Sequence, residues 1–157
     1  MKIIFLDIDG VLNCNKSTSQ INGMLGIDDD KVKRLKEIVD KTGAKIVLVS
    51  TWKEDWIADP TKKYEQNEIG DYLDRKMKRQ GLRILDKTEN RYNGIYMSQG
   101  EGILHYLDTH KVSKFVILDD CQFDYDGCNL TLNYVKTSMN NGLTPRHVDL
   151  AIQILNG

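Results

Sequence analysis

Lys2–Asn13 reads KIIFLDIDGVLN. Ile3 to Leu6 form an apolar run without polar alternation, the pattern of a strand buried on both faces in the middle of a parallel sheet. Two carboxylates follow, Asp7 and Asp9, and then Gly10. Strand side chains alternate, so both acids leave the sheet on one side of the chain, and Gly10 lets the backbone bend sharply after them. Two acids a few ångströms apart repel each other unless a cation or a proton sits between them. Such a pair at the end of a buried strand points to chemistry.

Working outward, KIVLVS (Lys45 to Ser50) is a second buried run, ending in the hydroxyls of Ser50 and Thr51. LRIL (Leu82 to Leu85) is a weaker third strand, and FVIL (Phe115 to Leu118) a fourth that ends on Asp119 and Asp120. LNYVKT is read as a fifth, with Leu132 and Tyr134 on one face. Between them lie helical spacings. Val32, Leu35, Ile38 and Val39 precede a stop at Gly43, and Ile69, Tyr72, Leu73 and Met77 precede Gly81. Ser98 and Glu101 make a capping box ahead of Ile103, Leu104 and Leu107. Thr144 and Pro145 open a last helix in the N-cap and N1 positions. Cys14 to Gly26 reads as a loop or small flap, and Asp86 to Met97 as polar and irregular.

Strands alternating with helices predict an α/β fold: a three-layer, Rossmann-like domain with a central, mainly parallel sheet of about five strands. No linker or repeat divides the chain, so residues 1–157 are expected to form a single domain. Strand C-termini in such folds open on one edge, where ligands bind. Asp7 and Asp9, Ser50 and Thr51, and Asp119 and Asp120 are all expected there. One such pair is explained by turn or cap preferences. Three together are not.

Composition narrows the function. A formal net charge of −1 gives no global pull towards nucleic acid, so such binding has to rest on a local patch. Three cysteines without a repeating spacing suit a reducing, cytoplasmic setting. No apolar stretch approaches the roughly 18 residues of a membrane span, and a strand directly at the start leaves no room for a signal peptide. Clustered carboxylates suit a hard cation such as Mg²⁺, and the lack of His or Cys beside them argues against zinc. With hydroxyls alongside, this is the composition of a phosphate site, where one carboxylate attacks phosphorus and a second moves protons.

DIDGVLN after an apolar strand, VLVST at the end of the next, and VILDD later resemble motifs I, II and IV of the haloacid dehalogenase (HAD) superfamily over nearly the whole chain. The STWK turn (Ser50 to Lys53) and the tail from LDD to NNGLT resemble the HAD domains of multi-part RNA-repair (Swiss Army Knife) proteins. The resemblance implies a Mg²⁺-dependent phosphohydrolase working through an aspartyl-phosphate. Asp7 would be the nucleophile and a metal ligand. Asp9 would be the general acid and then base, binding metal through its backbone carbonyl. Ser50 would hold the phosphoryl group, with Thr51 as understudy and the Gly10 turn beside it. Asp119 or Asp120 would complete the metal site, Asp120 being favoured, with Asp124 as a further candidate.

One element of the pattern is missing. Relatives place a Lys or Arg near the start of the helix before the fourth strand, whereas MSQGEGI (Met97 to Ile103) contains no base. Lys53 is the first candidate to replace it and Arg91 the second. No insertion is large enough for a cap, and an open site within the superfamily suits a bulky substrate such as a nucleic-acid end or nucleotide phosphate. Arg75, Lys76, Lys78, Arg79 and Arg83 are a candidate backbone-contact patch, although a solvated helix face explains them as well. Trp52 and Trp56 are candidates to stack on a base, with packing in the core or at its rim as the alternative for both and the favoured one for Trp56.

Two further readings stay open. A HAD-like module lacking the motif III base would bind phosphate or nucleic acid with weak or absent catalysis. A receiver-type domain would phosphorylate an acid at the third strand's end, but Asp86 there lacks the usual neighbours. Oligomeric state leaves no mark on the sequence.

Overall fold

The computed structural model describes residues 1–157. In chain order the elements are β1 (Lys2–Leu6), β2 (Gln20–Ile21), β3 (Met24–Leu25), α1 (Asp29–Thr42), β4 (Lys45–Leu48), α2 (Glu68–Arg79), β5 (Ile84–Lys87), β6 (Arg91–Tyr92), β7 (Ile95–Tyr96), α3 (Gln99–Thr109), β8 (Lys114–Asp119), β9 (Tyr134–Lys136) and α4 (Pro145–Asn156). Five strands pair in parallel in the order β5-β4-β1-β8-β9. The apolar run of β1 is therefore central, and Ile3 to Leu6 are fully buried.

Alternation along the strands splits the core in two. Ile4, Leu6, Leu48 and Leu118 face α1, α2 and α4, packing on Leu35, Leu73 and Leu155. Ile3, Phe5, Val47 and Ile117 face α3 through Ile103 and Tyr106. The result is a three-layer α/β domain. From β1 the chain moves by α1 to β4 on one side, and from β8 to β9 on the other. The sheet reverses its winding between β1 and β8, and a crevice opens beyond their C-terminal ends.

The helix ends follow local chemistry. Gly43 closes α1 with φ 73°, a backbone that glycine adopts without steric cost. Ser98 and Glu101 form the expected capping box on α3. Thr144 caps α4 with Pro145 at N1, and His147 completes the cap, accepting from the Thr144 N–H through Nδ1 at 3.0 Å.

Several expectations need correction. The third strand runs over Ile84–Lys87, not Leu82 to Leu85. The Leu82 N–H bonds back to the Met77 carbonyl at 3.0 Å, which keeps Leu82 in the helix exit. A bulge opposite Ile46 and Val47 then carries Asp86 and Lys87 into the sheet. Asp86 to Met97 is not irregular throughout: β6 and β7 form a hairpin in it, turning at Asn93 (φ 51°) and Gly94 (φ 78°). The flap carries a matching hairpin, β2–β3, turning at Asn22 (φ 50°) and Gly23 (φ 76°). Asn-Gly supplies the two positive φ angles that a two-residue hairpin turn needs. Leu132 shares no strand face with Tyr134, because it lies in a 3₁₀ turn before β9 and is 90% exposed.

Of the five bases expected as a patch, Lys76 and Arg79 are spent on Asp29 of α1, at 2.6 and 3.3 Å. Lys76 is buried there, so these residues tie α2 to α1. No helix is long and apolar enough to cross a membrane.

Candidate active site

Beyond β1 the backbone remains stitched to its neighbours. The Asp7 N–H donates to the Leu118 carbonyl, and the Val49 N–H to that of Leu6, both at 2.9 Å. The Thr137 N–H likewise donates to the Asp119 carbonyl at 3.0 Å. Asp7, Ser50 and Asp119 thus leave the sheet as one rim. Gly10 turns the chain with φ 78°, and a Cβ there would stand 2.5 Å from Asp120 Cγ. Only glycine lets the motif I loop lie against the Asp120 carboxylate. Thr137 holds that loop from the far side, its hydroxyl donating to the Gly10 carbonyl at 2.6 Å.

Asp7, Asp119 and Asp120 each offer a carboxylate oxygen, and the three oxygens lie within 4.8 Å of one another. Asp119 is fully buried. Its oxygens accept from the Cys121 N–H at 3.0 Å and the Tyr125 hydroxyl at 2.7 Å. Burial, followed by the charge of Asp119, pushes Asp7 far above the ordinary carboxylate range. Asp119 also rises through burial, against the pull of its two donors. Three acids this close do not all ionise unaided. Their hard oxygen donors fit Mg²⁺ and offer no soft ligand.

Asp9 stands outside this trio, with each oxygen held. Asn13 Nδ2 donates to one at 2.9 Å and Trp52 Nε1 to the other at 3.3 Å. Asn13 is fully buried and saturated, also accepting from the Gly10 N–H at 2.9 Å and donating to the Gly26 carbonyl at 3.0 Å. Trp52 is buried beside Ser50, whose Oγ accepts from the Trp52 N–H at 3.2 Å. Trp56 is also buried, its indole N–H donating to Asp74 at 2.9 Å. Both rings are packed in the core and anchored at their nitrogens, so core packing, the alternative to stacking on a base, is the outcome for Trp56 and for Trp52 alike.

A cavity of about 580 Å³ covers the rim, lined by Asp7, Asp9, Ser50, Thr51, Lys53, Asp120 and Asp124 together with Gln99, Tyr96 and Phe123. Asp119 and Gly10 lie beneath this lining. Lys53 is only 6% exposed, its ammonium donating to the Thr88 hydroxyl at 3.0 Å. Burial lowers its pKa against the opposing charges of Glu54 and Glu89. Arg91 does not line the cavity; it is exposed on β6, its guanidinium 5.9 Å from the centre of the Tyr96 ring. Asp124 accepts from the Ser98 hydroxyl and from the Gly100 N–H, the latter at 2.8 Å. Burial alone would raise Asp124, but these donors and Cys128 hold it low. It braces the start of α3 while lining the cavity.

Four residues around the acids escaped notice in the sequence as partners of the site: Asn13, Trp52 as a donor to Asp9, Gln99 and Tyr125. Asn13 lies four residues after Asp9 in a tight turn, a spacing that suits a side-chain bond. Gln99 occupies the stretch that lacks a base, and its amide donates to the Val49 carbonyl at 2.6 Å. Tyr125 has no local signal.

A family model described as the HAD domain in Swiss Army Knife RNA repair proteins matches residues 3–148. Neither the curated proteins nor the solved structures include a match to this chain.

Proposed function

Because this chain belongs to the HAD domains of Swiss Army Knife RNA repair proteins, we propose that it is a Mg²⁺-dependent phosphohydrolase acting through an aspartyl-phosphate on an open, bulky phosphate ester such as a nucleic-acid end or nucleotide. The observation that carries this reading is the convergence of Asp7, Asp119 and Asp120 within 4.8 Å. Asp9 stands beside them with both oxygens held. Asp7 and Asp120, which line the cavity, would hold the cation, with Asp119 and the Asp9 carbonyl completing its surroundings. When bound, Mg²⁺ neutralises the acids and draws charge from the phosphoryl oxygens.

An Asp7 oxygen attacks phosphorus, the new O–P bond forming as the bond to the leaving oxygen breaks. Protonated Asp9 gives that oxygen its proton, so an alcohol departs. A water then attacks the phosphoryl group while Asp9 takes its proton. The Asp7 O–P bond breaks and inorganic phosphate is released. Trp52 and Asn13 keep the Asp9 carboxylate aimed throughout. The Ser50 Oγ already accepts from the Trp52 N–H, so its own proton is free to donate to a phosphoryl oxygen. Lys53, in the same cavity, supplies the cation that MSQGEGI lacks. Burial keeps its charge poorly solvated and therefore effective on an anion.

The test is release of phosphate from a panel of 3′- and 5′-phosphorylated oligonucleotides, nucleotides and sugar phosphates with Mg²⁺, for the wild type and Asp7→Asn. Turnover by the wild type alone, with phosphate trapped on Asp7 after acid quench, supports the reading. No turnover by either protein favours a phosphate-binding module that has kept the fold.

A further inference from the structure

We propose that Tyr96 and Phe123 form a platform at the cavity mouth on which the base next to the scissile phosphate stacks, so that the site takes phosphorylated nucleotides or strand ends rather than bare sugar phosphates. This rests on the phosphate site proposed above and names what lies beyond the phosphate.

The two rings come from different elements, the β6–β7 hairpin and the loop after β8, yet both line the cavity that holds Asp7. Neither belongs to the core: Tyr96 is 67% and Phe123 57% exposed. Phe123 carries a second mark. Its backbone is left-handed, with φ 48°, a region where a bulky side chain is a genuine outlier. Its ring meets Tyr125 edge-on at 6.1 Å. Strain that holds an apolar ring in solvent over a polar cavity is the kind of feature found at ligand sites.

The apolar surface also continues outward. Tyr96 is shared with an adjoining groove of about 370 Å³ lined by Tyr92, Ile95, Met97, Glu101 and Leu104. Ile95 is 72% exposed, and an apolar tip on an exposed two-residue hairpin calls for a partner. A nucleobase suits it best. The surface is contiguous with a phosphate-sized set of polar groups, aromatic faces accept any base, and the exposed Arg91 guanidinium beside Tyr96 provides a cation for a neighbouring phosphodiester. With both tryptophans buried, these are the aromatic rings that the cavity offers.

The test uses the full chain carrying Asp7→Asn, so that bound phosphate is not turned over, with Mg²⁺ present. Binding of fluorescently labelled 3′- and 5′-phosphorylated oligonucleotides is followed by anisotropy, beside the same strands with an abasic terminal residue. Competition by nucleoside monophosphates against ribose 5-phosphate tells a free nucleotide from a strand end. The base-bearing strand should bind roughly tenfold or more tightly. Tyr96→Ala and Phe123→Ala should each collapse that ratio, whereas Tyr96→Phe and Phe123→Trp should keep it. A ratio near one, alanine variants that leave it intact, or no binding of either strand overturns the platform. A preserved ratio in a protein whose wild type hydrolyses no phosphate ester sinks the catalytic reading and leaves the platform standing.

Discussion

Replacing Gly10 by alanine tests how tightly the motif I loop and the Asp120 carboxylate are fitted together. The substitution has two separable costs. A Cβ-bearing residue at φ 78° loses about 1–2 kcal/mol. The new Cβ would stand 2.5 Å from Asp120 Cγ and 2.6 Å from its Cβ, and forcing apart packed groups of this kind adds about 1–3 kcal/mol. The sum is about 2–5 kcal/mol, a drop of roughly 5–15 °C in Tm for a chain of this size. Asp120→Gly removes every atom in the overlap, so in that background Gly10→Ala should cost only the backbone share, about 1–2 kcal/mol. The double-mutant cycle therefore predicts a coupling of about 1–3 kcal/mol. Thermal and urea melts of the four proteins, recorded with EDTA so that no bound cation enters, measure it. Equal costs of Gly10→Ala in both backgrounds would refute the reasoning, because Asp120 would not then lie against Gly10.

Three more expectations follow from the same geometry. Asp7 and Asp119 are raised above the ordinary carboxylate value of 3.8, so between that value and their folded values the native chain binds more protons than the unfolded one. Their contribution is complete in acid and is lost as pH rises above about 4, the part of Asp119 first and that of Asp7 only in the alkaline range; in EDTA the Tm should fall progressively over that span. Mg²⁺ should flatten the fall, and a flat EDTA profile would contradict the crowding of the acids. Trp52→Phe removes the donor to Asp9 and, because the ring is buried in the core, leaves a void where the larger indole stood. It should lower kcat about tenfold, the worth of one bond to a charged group, measured well below a melting temperature that the void lowers; unchanged kcat would show that Asp9 needs no such support. Lys53→Met keeps the aliphatic stem and removes a buried cation. Phosphatase kcat should drop by about 10² or more while Tm changes little, since relief of a desolvated charge offsets the lost bond to Thr88. Activity within threefold of wild type would rule Lys53 out as the neutralising base.

What KIIFLDIDGVLN and its counterparts determined alone is what depends on near neighbours. Unbroken apolar runs are buried strands because every side chain in them must find a core. Strand alternation predicts Asp7 and Asp9 on one side, but β1 ends at Leu6 and Asp9 lies in the turn beyond it, so only their shared place at the cavity follows from the motif. The caps at Ser98 and Thr144 were legible because one side chain reaches one backbone group within a turn. The Asn-Gly pairs at Asn22 and Asn93 were equally local, and were the hairpin signals that polar flanks concealed. The tertiary fold decided what depends on pieces far apart in the chain. It buried Asp119 under Tyr125 and left Asp120 at the cavity. It aimed the Trp52 indole at Asp9 across 43 residues, spent Lys76 and Arg79 on Asp29, and brought Tyr96 and Phe123 to one opening. A side chain's chemistry is written in its own residue, but its partner is fixed only when the sheet order brings remote segments together.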